Sequence, residues 1–210
     1  MGIVSAVELT KARAVIYVDG VIFIKMKRRE FDEMPVSEGD DLDEQAYLDR
    51  LCARQMKPAY ESALNLLTAR DMTAHDLQAG LKKRGYLEPV AEAVCQRLIE
   101  NRLIDDARYA QRYVELRQDS AVGRYAMKRK LRAKGIDEET AEDALEALDD
   151  ESQLASAKEL AKKYARRYAD EEAYARKSKL SQALARRGFS WEIIHEAIEA
   201  LGIDDASCWP

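Results

Sequence analysis

The segment Leu131-Arg-Ala-Lys-Gly135 has a counterpart on each side of it in the chain, at Leu81-Lys-Lys-Arg-Gly85 and at Leu184-Ala-Arg-Arg-Gly188. In each copy a leucine is followed by basic residues and then by glycine, and consecutive copies lie 50 and 53 residues apart. Basic residues are favourable at the negative end of a helix dipole, and glycine readily adopts the left-handed conformation that ends a helix. Each copy therefore predicts the C-terminal end of a helix.

The positions around these three helix ends also repeat. The residue four before each leucine is apolar, the residue after each glycine is large and apolar, and the thirteenth residue after each glycine is leucine. These sets are Leu77, Tyr86 and Leu98; Met127, Ile136 and Leu148; and Leu180, Phe189 and Leu201. Asp137 and Ser190 stand where an N-cap would begin the next helix. Because further amphipathic segments lie upstream of each copy, each unit is predicted to contain three helices.

The repeats predict a mainly α-helical fold of three tandem three-helix units, at residues 59–104, 105–148 and 149–210, the last including a C-terminal tail. One unit of this size buries little apolar surface alone, so the units are expected to stack in an elongated array. The composition agrees, because 9 glycines and 4 prolines in 210 residues are too few for the frequent turns of a β-sandwich.

A short β-hairpin is predicted before the repeats, in a segment that comprises residues 1–37. The stretches 14–18 and 21–26 are rich in β-branched residues and flank Asp19-Gly20, a dipeptide that favours a type I′ turn. An isolated hairpin is marginally stable in water, so this one is expected to pack against another element.

A connecting helix is predicted at residues 38–58. Its start is placed in the acidic stretch 37–44, because carboxylates are favourable at the positive end of a helix dipole. Proline fits the first turn of a helix but not its interior, so this helix is expected to end or bend near Pro58.

Charge and composition exclude several classes of protein. The 39 acidic residues outnumber the 34 lysines and arginines, giving a net charge of −5 that disfavours a dedicated binder of duplex DNA. No apolar stretch is long enough to cross a membrane, and three widely spaced cysteines without a CxxC pair indicate neither a disulfide framework nor a zinc site. The chain is predicted to be cytoplasmic.

No catalytic group is indicated. His75 and His195 are far apart in the sequence, and neither stands beside an arrangement of carboxylates or cysteines. The chain also lacks a P-loop, a GxGxxG, an HExxH and a nucleophile elbow. We therefore expect a protein that is not an enzyme and that needs no cofactor and no metal.

The stretch Leu103-Ile-Asp-Asp-Ala-Arg-Tyr-Ala110, followed by Tyr113-Val114 and Arg117, resembles the RecX family of bacterial regulatory proteins. The resemblance continues through Gly123-Arg124 and through two further segments, 131–136 and 179–190. It covers about 145 residues, from 59 to 203, in the expected order and spacing. The combined set is specific, whereas a single piece such as Arg-Gly-Phe would be weak.

The resemblance implies a non-enzymatic modulator of the RecA recombinase that acts in DNA recombination, repair and the SOS response. Proteins of this family bind RecA, insert along the groove of the RecA–single-stranded DNA filament, and lower its ATP hydrolysis, strand exchange and stimulation of repressor cleavage. The implied partners are RecA and its filament, with weak direct contact to DNA as a further expectation. The protein is expected to be a monomer.

Basic residues at helical spacing are the candidate partner-binding groups, facing either an acidic RecA surface or DNA phosphate. The predicted helix from 124 to 134 contains no acidic residue and places three cations at intervals of four. The full set of candidates is Arg124, Lys128, Arg132, Lys134, Arg108, Arg112, Lys162, Lys163, Arg166 and Arg167. The alternative is a solvated helix face balanced by nearby acids such as Asp137, Glu138 and Glu139. Reversal of the three-cation stripe to glutamate is expected to weaken RecA inhibition with little effect on melting.

Two other functions stay open. Three-helix units can present a helix-turn-helix, so a helical DNA-binding transcriptional regulator is the main alternative. The low pI and the absence of a basic recognition helix in each repeat speak against it. A helical scaffold for some other partner is the weaker third possibility.

Overall fold

The computed structural model describes residues 1–118 and 120–203; the residues after 203, which include the predicted tail, lie outside this part. In the first compact unit, residues 1–104, the elements are β1 (Gly2–Leu9), β2 (Arg13–Val18), β3 (Val21–Lys27), α1 (Arg28–Glu33), β4 (Asp41–Leu42), α2 (Glu44–Ala69), α3 (Ala74–Lys83) and α4 (Glu88–Glu100). In the second unit, from residue 105, they are α5 (Asp106–Glu115), α6 (Arg124–Arg132), α7 (Glu138–Glu146), α8 (Asp150–Arg167), α9 (Ala173–Arg186) and α10 (Trp191–Glu199).

The first unit begins with an antiparallel sheet whose strand order is β3-β2-β1-β4. The predicted hairpin is confirmed, because β2 pairs with β3 and Val18 lies opposite Val21. Asp19 and Gly20 have φ angles of 49° and 81°, the positive values that a type I′ turn requires. Strands β1 and β4 were not predicted; they pair beside β2, so the hairpin forms one side of a larger sheet.

Helix α2 differs from the predicted connecting helix at both ends. It begins at Glu44, where the Asp43 carboxylate accepts a hydrogen bond from the amide of Ala46 at 3.0 Å. The helix cannot begin at residue 38, because Asp41–Leu42 pair with β1 as strand β4. It also continues through Pro58, so of the predicted end or bend there the end is wrong.

Tertiary packing holds the proline inside this helix. Leu51, on the N-terminal side, is fully buried against the sheet, and Ala63, on the C-terminal side, is fully buried in the first repeat. The Tyr86 hydroxyl donates a hydrogen bond to the Pro58 carbonyl at 3.0 Å. One helix therefore serves both the core under the sheet and the core of the first repeat.

Buried polar groups connect the segment that follows β3 to the first repeat. The Glu30 carboxylate accepts hydrogen bonds from the Lys27 amide at 2.9 Å and from the Gln55 side-chain amide at 3.1 Å. The side-chain oxygen of Gln55 in turn accepts from the amide of Leu87 at 2.8 Å. Leu87 precedes α4 and has no side chain able to cap it. Gln55 therefore supplies an acceptor to the start of this helix.

The three-helix units are confirmed, with α2 to α4, α5 to α7 and α8 to α10 as their helices. The predicted glycines end α3, α6 and α9 with φ angles of 84° at Gly85, 78° at Gly135 and 86° at Gly188. After each glycine, the next amide donates back to the carbonyl of the anchor leucine. The three bonds are Tyr86 to Leu81 at 3.3 Å, Ile136 to Leu131 at 3.2 Å and Phe189 to Leu184 at 3.4 Å. This is the Schellman arrangement that the repeated sequence predicts.

The predicted N-caps are also present. The Asp137 carboxylate accepts from the amide of Thr140 at 2.8 Å, and the Ser190 hydroxyl accepts from the amide of Ile193 at 3.3 Å. Asp105 caps α5 in the same way, with the amide of Arg108 at 2.9 Å.

Within the second unit, α6 begins at Gly123, which offers no side-chain cap. Its amides instead donate to the third repeat. Gly123 donates to the carbonyl of Arg187 at 2.9 Å, Tyr125 donates to that of Gly188 at 3.0 Å, and Arg124 donates to the side-chain oxygen of Gln153 at 3.2 Å. The start of α6 is therefore capped by the end of α9 and by a buried glutamine of α8.

Candidate partner-binding surface

The three cations predicted as a stripe on α6 lie beside acidic residues of the same unit. Lys128 has the most enclosed position, with 21% of its side chain exposed. Its ammonium group donates to the Glu138 carboxylate at 2.9 Å and also to that of Glu142. These hydrogen bonds raise the pKa of Lys128 and lower that of Glu138. The positive charge of Lys128 is therefore balanced by α7.

The other two cations of the stripe are less engaged. The Arg124 guanidinium lies 3.4 Å from the Leu148 carbonyl oxygen, just after α7, and 3.9 Å from the Asp150 carboxylate at the start of α8. These two acceptors partly balance its positive charge. Arg132 is 60% exposed and has its guanidinium 3.7 Å from Glu138. Of the three, Arg132 offers the most accessible charge to a partner.

Two further cations of α6 are more accessible to a partner than the three cations of the stripe. Arg129 and Lys130 are exposed, and neither forms an ion pair with a residue that the structure describes. Tyr125, one helical turn before Arg129, is 58% exposed. The accessible part of α6 therefore combines free positive charge with an aromatic ring, a composition common in protein interfaces.

The remaining candidates of the second repeat are divided between the surface and its core. Arg108 and Arg112 are exposed on α5, one turn apart. Lys134 is half-buried, with its ammonium group 6.0 Å from the centre of the Tyr109 ring. Tyr109 and Tyr113 pack against the apolar cluster of this repeat, so their rings belong to its core.

The basic residues of α8 also differ in availability. Lys162 lies 2.8 Å from Glu159, and this contact lowers the pKa of the glutamate. Lys163, Arg166 and Arg167 are exposed and pair with none of the carboxylates in residues 1–118 and 120–203. The last of these contributes to a cleft that sequence analysis did not predict.

This cleft lies between the C-terminal turns of α8 and α9 and has a volume of about 260 Å³. Its walls are formed by Tyr164, Arg167, Tyr168, Ala183, Arg186 and Arg187. Arg186 and Arg187 belong to the third copy of the repeated segment, whose sequence predicts only the end of a helix. Their neighbours on α8 are distant in sequence, so no local pattern could show that the guanidinium groups converge.

A second basic cavity, of about 440 Å³, lies in the first unit beside the start of α1 and is lined by Lys11, Ala12, Lys27, Arg28 and Arg29. Two of its cations are already engaged. The Lys27 ammonium group stands 3.9 Å from the centre of the Tyr86 ring, and burial lowers its pKa. Arg28 forms an ion pair with Asp32 at 2.7 Å.

None of the helices in the described ranges 1–118 and 120–203 combines the length and the apolar character needed to cross a membrane.

The chain matches three family models, one for each repeat. The model for "RecX, first three-helix domain" matches residues 59–98, that for the second domain matches 105–145, and that for the third matches 150–198. The first repeat matches without the sheet and without the N-terminal half of α2. The family therefore shares the part of the chain in which the sequence repeats.

Relatives and solved structures agree with these matches. The regulatory protein RecX of Limosilactobacillus reuteri (strain DSM 20016) is 31% identical over 192 residues, covering 90% of this chain and 73% of the relative. That of Mycobacterium ulcerans (strain Agy99) is 38% identical over 139 residues, covering 65% of this chain and 80% of the relative. A crystal structure of regulatory protein RecX superposes with a TM-score of 0.67 at 30% identity, over 95% of this chain and all of that one. The chain belongs to the RecX family of regulatory proteins.

Proposed function

We propose that this protein binds RecA and the RecA–single-stranded DNA filament and lowers the filament's ATPase, strand-exchange and coprotease activities. The single observation that carries this proposal is membership of the RecX family across all three repeats. The protein acts without catalysis, as a monomer in the bacterial cytoplasm. Three similar units in one chain support contacts to successive protomers of a filament, because linked contacts raise avidity without any one of them being tight.

The exposed face of α6 is the proposed centre of RecA binding. Lys128 is balanced by two carboxylates, so we assign the contact to Arg129, Lys130 and Arg132, whose side chains are exposed. Arg108, Arg112, Lys163 and Arg166 extend the proposed surface on α5 and α8. Charges of this kind increase the rate of association and orient the partner, more than they add to affinity.

The experiment is a titration of RecA's single-stranded-DNA-dependent ATPase with the purified protein. We expect inhibition by the wild-type protein and weaker inhibition by the double variant Arg129→Glu, Lys130→Glu. Lys57→Glu with Arg70→Glu is the matched control, because it reverses two exposed cations, one on α2 and one at its C-cap, outside the proposed surface. Wild-type protein that neither binds RecA nor changes its ATPase would overturn the proposed function.

A separate titration addresses the alternative of a DNA-binding transcriptional regulator. That function requires sequence-specific binding of duplex DNA in the absence of RecA, with a steep dependence on salt. We expect no preference among duplexes of different sequence. A strong preference, together with an unchanged RecA ATPase, would favour the alternative.

A further inference from the structure

The cleft between α8 and α9 concentrates positive charge that no carboxylate of residues 1–118 and 120–203 balances by an ion pair. Arg167 comes from the last turn of α8, and Arg186 and Arg187 come from the end of α9. All three side chains are exposed, and none forms an ion pair with a carboxylate in the described part of the chain. The chain as a whole carries a net charge of −5, so this local excess of positive charge stands against the overall balance.

Nearby cations on the same two helices behave differently. Lys162 on α8 pairs with Glu159, and Lys179 on α9 pairs with Glu171. Acidic partners are thus available around the two helices, but none of the described residues that line the cleft is acidic. An anion from outside the chain would therefore meet uncompensated guanidinium groups from two walls.

The cleft is held in shape by its surroundings. The carbonyl of Arg187 accepts a hydrogen bond from the amide of Gly123 at 2.9 Å, which fixes the end of α9 against the second repeat. Tyr164 and Tyr168 pack against the apolar cluster of the third repeat while their side chains line the cleft. Walls that are positioned before binding lower the entropic cost of holding a ligand.

The chemistry of the lining selects the class of anion. Guanidinium groups bind phosphate oxygens in a bidentate manner, and tyrosine adds a hydroxyl donor and a ring face. A volume of about 260 Å³ lies below the 300–1,000 Å³ typical of sites for drug-sized ligands, so it suits a smaller group such as a phosphodiester. Arginines combined with aromatic rings are characteristic of surfaces that bind single-stranded nucleic acid.

We propose that the α8–α9 cleft is a binding site for the phosphodiester backbone of single-stranded nucleic acid, with Arg167, Arg186 and Arg187 as its phosphate ligands. This inference goes beyond the regulation of RecA, because the site needs no RecA to bind its ligand. The cleft also differs in its residues from the proposed RecA-binding surface, which is centred on α6 and reaches α8 only at Lys163 and Arg166.

The first repeat provides a matched control. Lys83 and Arg84 precede Gly85 as Arg186 and Arg187 precede Gly188, so they occupy equivalent positions at a helix end. Arg84 is occupied in a different way, since its guanidinium donates to the Ser62 hydroxyl at 2.7 Å. Replacing either pair with glutamine removes the same charge from the same local structure.

The experiment measures fluorescence anisotropy of a labelled deoxythymidine oligonucleotide titrated with the full chain, without RecA and at several salt concentrations. For Arg186→Gln with Arg187→Gln we expect affinity to fall at least about tenfold, and the slope of log K against log salt to flatten by about 1.4, since each phosphate contact to a single strand contributes about 0.7. Arg167→Gln, from the opposite wall, should weaken binding as well. The control Lys83→Gln with Arg84→Gln should bind like the wild type.

Three outcomes would overturn the proposal: no binding by the wild-type protein, equal losses in the cleft variant and its control, or competition by a polyglutamate peptide as effective as that by unlabelled oligonucleotide. Circular dichroism of each variant separates loss of a ligand contact from loss of folding. The result is independent of the ATPase titration. If the protein inhibits RecA but the cleft variant still binds the oligonucleotide like the wild type, only the proposal for the cleft fails. If the protein binds the oligonucleotide but has no effect on RecA, only the proposed regulation of RecA fails.

Discussion

Gly188 lies so close to Ala126 that a Cβ atom built on the glycine would come within 2.5 Å of the alanine Cβ. The approach is reciprocal, because a Cβ on Gly123 would overlap the carbonyl group of Gly188. Close contact of this kind allows the first amides of α6 to reach the last carbonyls of α9. The second and third repeats therefore meet through their backbones, and the orphan donors of one helix satisfy the orphan acceptors of another.

The first prediction concerns this contact. Gly188→Ala should destabilise the protein by about 3 kcal/mol, because it combines a left-handed backbone conformation with a steric overlap. Gly85→Ala is the control: its φ of 84° is similar, but the new Cβ would meet only the Lys27 side chain at 3.5 Å. Only the backbone cost of about 1 kcal/mol is expected there. Urea unfolding measures both, and equal losses in the two variants would contradict the role assigned to the contact.

The second prediction concerns the buried glutamine of α2. Gln55→Leu removes the acceptor for the Leu87 amide and one hydrogen-bond donor to the Glu30 carboxylate. Glu30 is only 7% exposed. The expected loss is about 3 kcal/mol, since buried polar groups left without partners are costly. Gln45→Leu, on the exposed side of the same helix, should change the free energy of unfolding by less than about 0.5 kcal/mol. A stable Gln55→Leu variant would show that the polar chain does not hold the sheet segment to the first repeat.

Features that depend on neighbouring residues could be predicted from the sequence. The helix ends at Gly85, Gly135 and Gly188 require only a leucine, a glycine and an apolar residue within six positions. The hairpin turn at Asp19-Gly20 is equally local. Strand β1 was missed because its register shifts between Val4 and Ala6, which interrupts the alternation that marks a strand.

Features decided by tertiary contacts could not be predicted. A local rule ends a helix at Pro58, but packing on both sides carries α2 through it. The cations of α6 were identified correctly as a basic stretch, yet their availability depends on carboxylates of α7. Glu142 is the clearest case: it pairs with Lys128 but lies on the next helix, so the ion pair could not be predicted from spacing along one helix. The basic cleft likewise needs two helices that only the fold brings together.

The third prediction concerns that ion pair. Lys128→Glu places a third carboxylate beside Glu138 and Glu142, so the melting temperature should fall by several degrees. Arg129→Glu changes the charge equally at an exposed position without an ion pair to any described residue, and it should leave melting nearly unchanged. Differential scanning calorimetry compares the two.

The outcome decides how the α6 surface is tested. A destabilised Lys128→Glu variant would make reversal of the whole stripe unsuitable for measuring RecA binding, contrary to the expectation from sequence that melting would be little affected. Equal melting temperatures for the two variants would instead show that the carboxylates of α7 do not hold Lys128.

The last prediction concerns pH. Hydrogen bonds from the amide and the hydroxyl of Thr140 lower the pKa of Asp137 below its ordinary value of 3.8. Because the folded state holds this carboxylate ionised more strongly than the unfolded state does, its contribution to stability is complete well above pH 3.8 and is lost as the pH falls through the lowered pKa. Asp137→Asn keeps an oxygen acceptor for the amide but cannot titrate. Urea unfolding should therefore show the wild type more stable than this variant at neutral pH, with the difference shrinking in acid. A difference that stays constant through the acid range would mean that the charge of Asp137 does not stabilise the start of α7.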